Sequence, residues 1–209
     1  IYIIKFLILF LVLIFNFQSL ARADDIRDFQ IEGLSIGDSA LKYFNVKDLE
    51  KAKKERYTYF YPKNEFVKIA ISTGEEKGST LHIFSKTYDD LSITVKPKDE
   101  NYIIYSLSGR LYCEESIKIC INLQSDAIKD LDYILKNARK NTYKDPHPSD
   151  PTNKSFIYGN DFYFKDKGSI SISVYDWSDK MTKERDWHDS LQVGVNSEIF
   201  DKFLWYIYK

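Results

Sequence analysis

Between residues 66 and 113 the chain repeats with a period of two. Residues 66–71, 81–84, 91–95 and 102–113 alternate apolar and polar side chains, or run apolar, at strand lengths. The intervening segments, Gly74-Glu75-Glu76-Lys77-Gly78 and Lys96-Pro97-Lys98-Asp99-Glu100-Asn101, are short and full of turn formers. Parallel neighbours need a crossover of a dozen or more residues, so an antiparallel sheet is expected. A second set of strands follows. Residues 156–164 and 170–174 flank Lys165-Asp166-Lys167-Gly168 as a hairpin, and Leu191-Gln192-Val193-Gly194-Val195 repeats the alternation. Ile170, Ile172 and Val174 face one way and serines the other, so one face is either wet or meets a partner.

Helical spacing brackets these strands. Ser35, followed three residues later by Asp38, reads as a capping box for a helix carrying Ile36, Ala40, Leu41 and Phe44. Residues 46–55 read as a second, charge-rich helix. Residues 116–140 begin ambiguously, because Ile117, Ile119, Ile121 and Leu123 alternate like a strand. Cys120, Leu123, Ala127, Leu131, Ile134, Leu135 and Ala138 mark one helix face, and a long helix is expected there, secure from Ser125. Pro146, Pro148 and Pro151 put a loop at 141–154. A closing helix from Ser197 or Glu198 places Ile199, Phe200, Phe203, Leu204 and Ile207 on one side. The expected fold is a single α+β domain over residues 24–209: an antiparallel sheet with N-terminal helices, one long central helix and a C-terminal helix.

The first twenty-three residues carry an address rather than a fold. Lys5 precedes a run of apolar residues from Phe6 to Phe17, broken only by Asn16, and Ala21-Arg22-Ala23 ends in small–x–small before Asp24. This is the layout of a secretory signal peptide, with cleavage expected between Ala23 and Asp24. The run is shorter than the ~20 apolar residues a spanning helix needs. The expected location is therefore periplasmic or secreted, with membrane contact only during export. Lys+Arg 30 against Asp+Glu 31 leaves no basic excess, which argues against nucleic acid as a partner. Cys113 and Cys120 are the two cysteines. An exported pair permits one disulfide, and two buried free thiols are the alternative. With no further Cys or His close in sequence, a zinc site is not expected.

Several short constellations invite chemistry. Gly37-Asp38-Ser39 is similar to the nucleophile block of a lipase and esterase superfamily, with Gly159-Asn160-Asp161 and Asp186-Trp187-His188 as faint counterparts of its other blocks. That superfamily needs strands and helices in alternation around a parallel sheet, which this pattern does not supply. Ser39-Ala40-Leu41-Lys42 fits Ser-x-x-Lys, without the partner motifs of penicillin-recognising enzymes. Asp176-Trp177-Ser178-Asp179 and Asp186-Trp187-His188-Asp189 nearly duplicate one another. Asp176, Asp179, Asp186 and Asp189 together would offer calcium the oxygen ligands it takes; as turn residues they need no ion. His82, His147 and His188 are scattered. Tyr57, Tyr59 and Tyr61 suit a sugar-stacking face or a half-buried strand equally.

Two resemblances add to this. Residues 28–39, with Tyr175-Asp176-Trp177-Ser178 and Asp189-Ser190-Leu191-Gln192-Val193, resemble uncharacterised exported proteins of alphaproteobacteria, a likeness that implies export but no activity. Gly33-Leu34-Ser35 leading into an amphipathic helix resembles small envelope modules typified by the outer-membrane assembly lipoprotein BamE and by beta-lactamase inhibitory proteins. That likeness implies binding to other proteins. The leading expectation is a non-enzymatic envelope or periplasmic protein that binds an envelope component or another protein, without a cofactor. The alternative is a calcium-dependent binder or hydrolase built on the four aspartates.

Overall fold

A computed structural model describes residues 25–74, 78–113, 115–165 and 168–208. The expected export signal and its Ala23–Asp24 cleavage point lie outside the described residues. The chain is α+β. Its main sheet has eight strands: β3 (Tyr59–Phe60), β4 (Val67–Ser72), β5 (Asp90–Val95), β6 (Ser106–Tyr112), β7 (Arg139–Pro146), β8 (Phe156–Phe164), β9 (Gly168–Asp176) and β10 (Ser190–Asn196). They lie in the order β3-β4-β5-β6-β10-β9-β8-β7, every neighbouring pair antiparallel. Two meanders, β3 to β6 and β7 to β10, thus meet where β10 pairs with β6.

Strand alternation gives this sheet two different faces. Val67, Ile69, Ile71, Leu91, Ile93, Val95, Leu107, Leu111, Ile170, Ile172, Val174, Leu191, Val193 and Val195 fall on one face by register, and all are buried. Two things cover that face. The first is the helix over Ile117–Ile134, which lies against β9 and β10 and takes the chain from the middle of the sheet to its far edge at β7. Its buried residues Cys120, Gln124, Ala127 and Leu131 recur at spacings of three and four. The Gln124 amide donates to the carbonyls of Tyr158 (2.6 Å) and Ile172 (2.9 Å), so its one polar buried group is satisfied. The second cover is the N-terminal segment, through Ile26, Phe29, Ile31, Leu34, Ile36, Ala40 and Leu49.

That segment differs from expectation. Gln30–Ile31 and Leu34–Ser35 are the strands β1 and β2 of a small hairpin, not the run into a helix capped by Ser35. Glu32 and Gly33 both have positive φ, 49° and 79°, the conformation a tight two-residue hairpin turn requires. The cap belongs instead to Ser39, whose hydroxyl accepts from the Leu41 amide at the start of a 3-10 turn over Ala40–Lys42. The second helix stands as α1 (Val46–Ala52), capped by Asn45.

The long helix, α2 (Ile117–Ile134), starts earlier than the position from which it reads as secure, and stops before 140. Residues 139–146 are not loop but the edge strand β7, so the proline-rich loop shrinks to 147–155. Pro146 can end a strand there because β7 has a neighbour on one side only. Residues 81–84 contribute a single bridge at His82 rather than a strand. A short helix, α3 (Asp179–Arg185), fills the connection between β9 and β10, and α4 (Glu198–Ile207) closes the chain. On α4, Phe200 and Phe203 are buried with Phe66 in a second core, while Ile199 points outward. Among the described residues no helix is long and apolar enough to cross a membrane. Cys113 and Cys120 are bonded, Cα atoms 5.9 Å apart, tying the end of β6 to the first turns of α2. A disulfide fits an oxidising compartment.

Candidate functional site

The four aspartates do not form a centre. Asp176 ends β9, Asp179 opens α3 behind its Ser178 cap, and Asp189 accepts the Trp177 amide at 2.7 Å. Asp186 ends α3 in a left-handed conformation, φ 58°, with its side chain 94% exposed and bonded to His188 at 3.0 Å. Among the described residues, no three His, Cys, Asp or Glu side chains are grouped as a metal would need. The inserted helix α3 sets Asp179 and Asp186 at its opposite ends. Nothing in this arrangement supports the calcium expectation: Asp189 holds backbone, Asp186 bonds His188 and Asp179 lies in the first turn of α3.

The esterase-like blocks are equally dispersed. Ser39 donates to the Asn101 carbonyl at 2.5 Å, Asp38 holds Lys42 and Tyr43, and Gly159-Asn160-Asp161 lies within β8. His82 bonds the Gly74 carbonyl oxygen at 2.7 Å.

What the Asp-Trp connection does bring together is aromatic. Trp177 lies 4.5 Å from Trp187 and 4.3 Å from the His147 ring, and stacks along Tyr175. The 147–155 loop is held for this by Asp150, a carboxylate closed off from water. It accepts from the Thr152 amide and hydroxyl (2.8 and 2.7 Å), the Ser155 amide and hydroxyl (3.0 and 2.6 Å) and the Ser178 hydroxyl (2.9 Å). Those donors hold its carboxyl well below the ordinary carboxylate range. Burial lowers the His147 pKa, favouring the neutral ring among the tryptophans.

The second face of the sheet is lined mainly by polar groups. Its side chains fall into three rows by register. The first runs Ser72, Asp90, Arg110, Gln192, Ser173, Gly159, Tyr143; the second Ala70, Ser92, Ser108, Gly194, Ser171, Asp161, Asn141. The third runs Tyr59, Lys68, Thr94, Ser106, Asn196, Ser169, Tyr163, Arg139. Ala70 is the only aliphatic side chain in all three.

The middle row is small from β4 to β9, and Lys68 on one side with Arg110 and Gln192 on the other rise above it, so the strands carry a shallow trough across their own direction. One end of the face is closed by α4, where Asp201 accepts from Ser169 at 3.0 Å. The other is bordered by Tyr112, Tyr175 and the tryptophan cluster. Tyr143 lies flat over Gly159, where a Cβ would come within 2.0 Å of its ring; only glycine leaves that space.

Charge is distributed unevenly along the trough. Near β4 to β6 stand Lys68 and Arg110. Burial pushes the Lys68 ammonium down to about 8, with Arg110 adding repulsion and Asp90 opposing it. Arg110 is aimed by Gln192, which accepts from it at 3.0 Å, and by the Tyr175 ring 5.9 Å away. Near β8 stand Asp161 and Asp201, both raised chiefly by burial, Asp201 to about 6. Between them the hydroxyls are mutually bonded: Ser92 with Ser108 at 2.6 Å, and Ser106 donating to the side-chain Oδ1 of Asn196 at 2.7 Å. Such a surface can hydrogen-bond a ligand rich in hydroxyl and charged groups and stack it at the rim.

Sequence reasoning noticed the serines of β9 facing away from the core but not the sheet-wide pattern. The signal was the same alternation in Ser92/Thr94, Ser106/Ser108/Arg110 and Ser190/Gln192; what it lacked was the register that lines them up. Neither the chain nor its fold matches a family model, a curated protein or a solved structure.

Proposed function

We propose that this is an extracytoplasmic binding protein that holds a polar ligand in the trough on the hydroxyl-lined face of its sheet. One observation carries the reading: the three rows of that face contain a single aliphatic residue, yet several of their polar side chains are buried. Ser92 in the middle row is 8% exposed and Ser106 beside it 8%, while Ser169, Thr94 and Ser173 are covered by Asp201, Tyr61 and Tyr143 of the chain itself. A sheet face left to solvent needs no buried hydroxyls and gains more from long charged side chains that stay hydrated. Small hydroxyls with Lys68 and Arg110 at one end and Asp161 and Asp201 at the other suit a bound polar molecule better. The expected export signal and the disulfide support action outside the cytosol.

The test is an amide NMR map of residues 24–209 titrated with the small-molecule fraction of the source organism's envelope. Shifts concentrated at Ser92, Ser108, Ser171 and Gln192 support the reading. Shifts confined to other surfaces, or none, overturn it, and steady conversion of a component of the fraction would replace binding with catalysis.

A further inference from the structure

The cationic end of the trough has a feature that folding does not explain. Lys68 on β4 and Arg110 on β6 stand two strands apart and flank Ser92 of β5, since Lys68 pairs with Thr94 and Arg110 with Asp90. Sheet spacings put their Cα atoms about 16 Å apart, a span that two long side chains narrow from opposite sides while leaving room for a small group above Ser92 and Ser108. Among the described residues neither makes an ion pair. Lys68 has no hydrogen bond, and Arg110 is held by neutral partners. The one nearby carboxylate, Asp90, accepts the Tyr112 hydroxyl at 2.5 Å.

Two like charges on one partly buried face, with the neighbouring Asp90 engaged by Tyr112 and in ion-pair contact with neither, cost stability. A second observation lies one register step away. The hydroxyl of Ser190, on the same face between Tyr112 and Tyr175, is 1% exposed and has no hydrogen-bond partner. Buried hydroxyls without partners are uncommon in folded proteins.

Resting on the binding role proposed above, we infer that Lys68 and Arg110 form an oxyanion site over Ser92 and Ser108, which takes the carboxylate or phosphate group of a hydroxyl-bearing small molecule. Arg110 supplies a planar fork of donors pre-aimed by Gln192, Lys68 a compact charge from the other side, and the serine hydroxyls the remaining hydrogen bonds. The ligand's hydroxyl-bearing body then runs along the middle row toward Asp161.

The experiment titrates the folded chain with inorganic phosphate, acetate, glucose 6-phosphate and glucuronate, with glucose as the neutral control, following the Arg110 Nε–H resonance and the melting temperature. The sugar-borne anions are expected to move both, above their simple counterparts, and whichever of phosphate or carboxylate binds more tightly identifies the group. K68M is expected to weaken binding about tenfold, the loss of one charge-assisted contact of ~1.4 kcal/mol, and to remain folded because it removes an unpaired charge. R110Q serves as the second variant. Binding unchanged in K68M and R110Q, or no anion distinguishable from glucose, overturns the oxyanion site. If envelope components still map to Ser108 and Ser171 in that case, the trough remains a binding site and only the anionic class is wrong.

Discussion

The two faces of the eight-stranded sheet are built from the same strands and differ in what they are for. On the covered face, β4, β5, β6, β9 and β10 present Val, Ile and Leu to α2 and to the N-terminal segment, and these side chains are buried. On the other face the same strands present Ser, Thr, Asn, Gln, Lys and Arg, and only its ends are capped, by α4 and the tryptophan cluster. Burial of apolar surface is what drives folding, so the covered face accounts for why the chain folds at all. The polar face contributes little to that, and its composition is free to answer to something else. The lesson is that in an antiparallel sheet the face that folding does not need is where function is best sought.

The sharpest test sets adjacent residues of β6 against each other. Leu107 is 1% exposed on the covered face, and Ser108 is its neighbour on the other. Leu107→Ala removes buried methyl groups and leaves a cavity, and is expected to cost about 3 kcal/mol. Ser108→Ala loses one hydroxyl pair with Ser92, expected at about 0.5 kcal/mol. Urea unfolding of both variants measures the contrast. Equal losses would mean that the polar face is part of the folding core and would remove its claim to be a site.

Next in size is the disulfide. Cys113–Cys120 fastens the start of α2, the cover of the apolar face, to the end of β6. Its loop is short, so replacing both cysteines by serine is expected to cost about 2 kcal/mol. The loss should show as faster hydrogen exchange in α2 and β6, with the amides of β8 near Gly159 less affected. Uniform loss of protection across the sheet would show that the bridge stabilises the whole fold rather than that cover.

How much of this could be read beforehand follows the same division. The covered face was legible, because period-two runs of Ile, Leu and Val announce strands and the Cys120–Leu131 spacing announces the helix that packs on them. The N-terminal hairpin was not. Gly33-Leu34-Ser35 with Asp38 satisfies a helix-capping pattern, and only the pairing of residues 37–40 with 102–104 across the fold reveals the alternative. Strand β7 was hidden too, since Arg139 and Lys140 read as the end of the long helix and Lys144 and Pro146 as loop. They are also what a natural protein places on an open edge to keep other chains from pairing with it. The aspartates of the Asp-Trp repeats drew attention for their type, although their positions are structural. The trough escaped notice because no single segment contains it; it exists only once five strands are in register.

The smallest expected effect has the opposite sign and belongs to the polar face alone. Asp201 sits in the first turn of α4, where the helix dipole favours a carboxylate, and it accepts from Ser169. Burial against β9, reinforced by Asp161, nevertheless outweighs these and raises it to about 6. A carboxyl whose folded pKa lies above its unfolded value near 3.8 adds stability below the unfolded value. That contribution fades as pH rises from there and is gone above the folded one. The carboxylate at neutral pH is therefore a cost, of about 2 kcal/mol after allowance for its partial contact with water. Asp201→Asn keeps the oxygen that accepts from Ser169 and removes the charge. It is expected to gain stability at pH 7.5, by about 1–2 kcal/mol, and to lose most of that advantage at pH 4. Urea midpoints of wild type and variant between pH 3 and 8 give the difference curve, in which the pH response of every other group cancels. A difference that rises between pH 4 and 6 and then levels off confirms a carboxylate kept at the expense of stability, as a binding face would keep it. A flat difference would make Asp201 an ordinary first-turn residue and would leave the acidic end of the trough resting on Asp161.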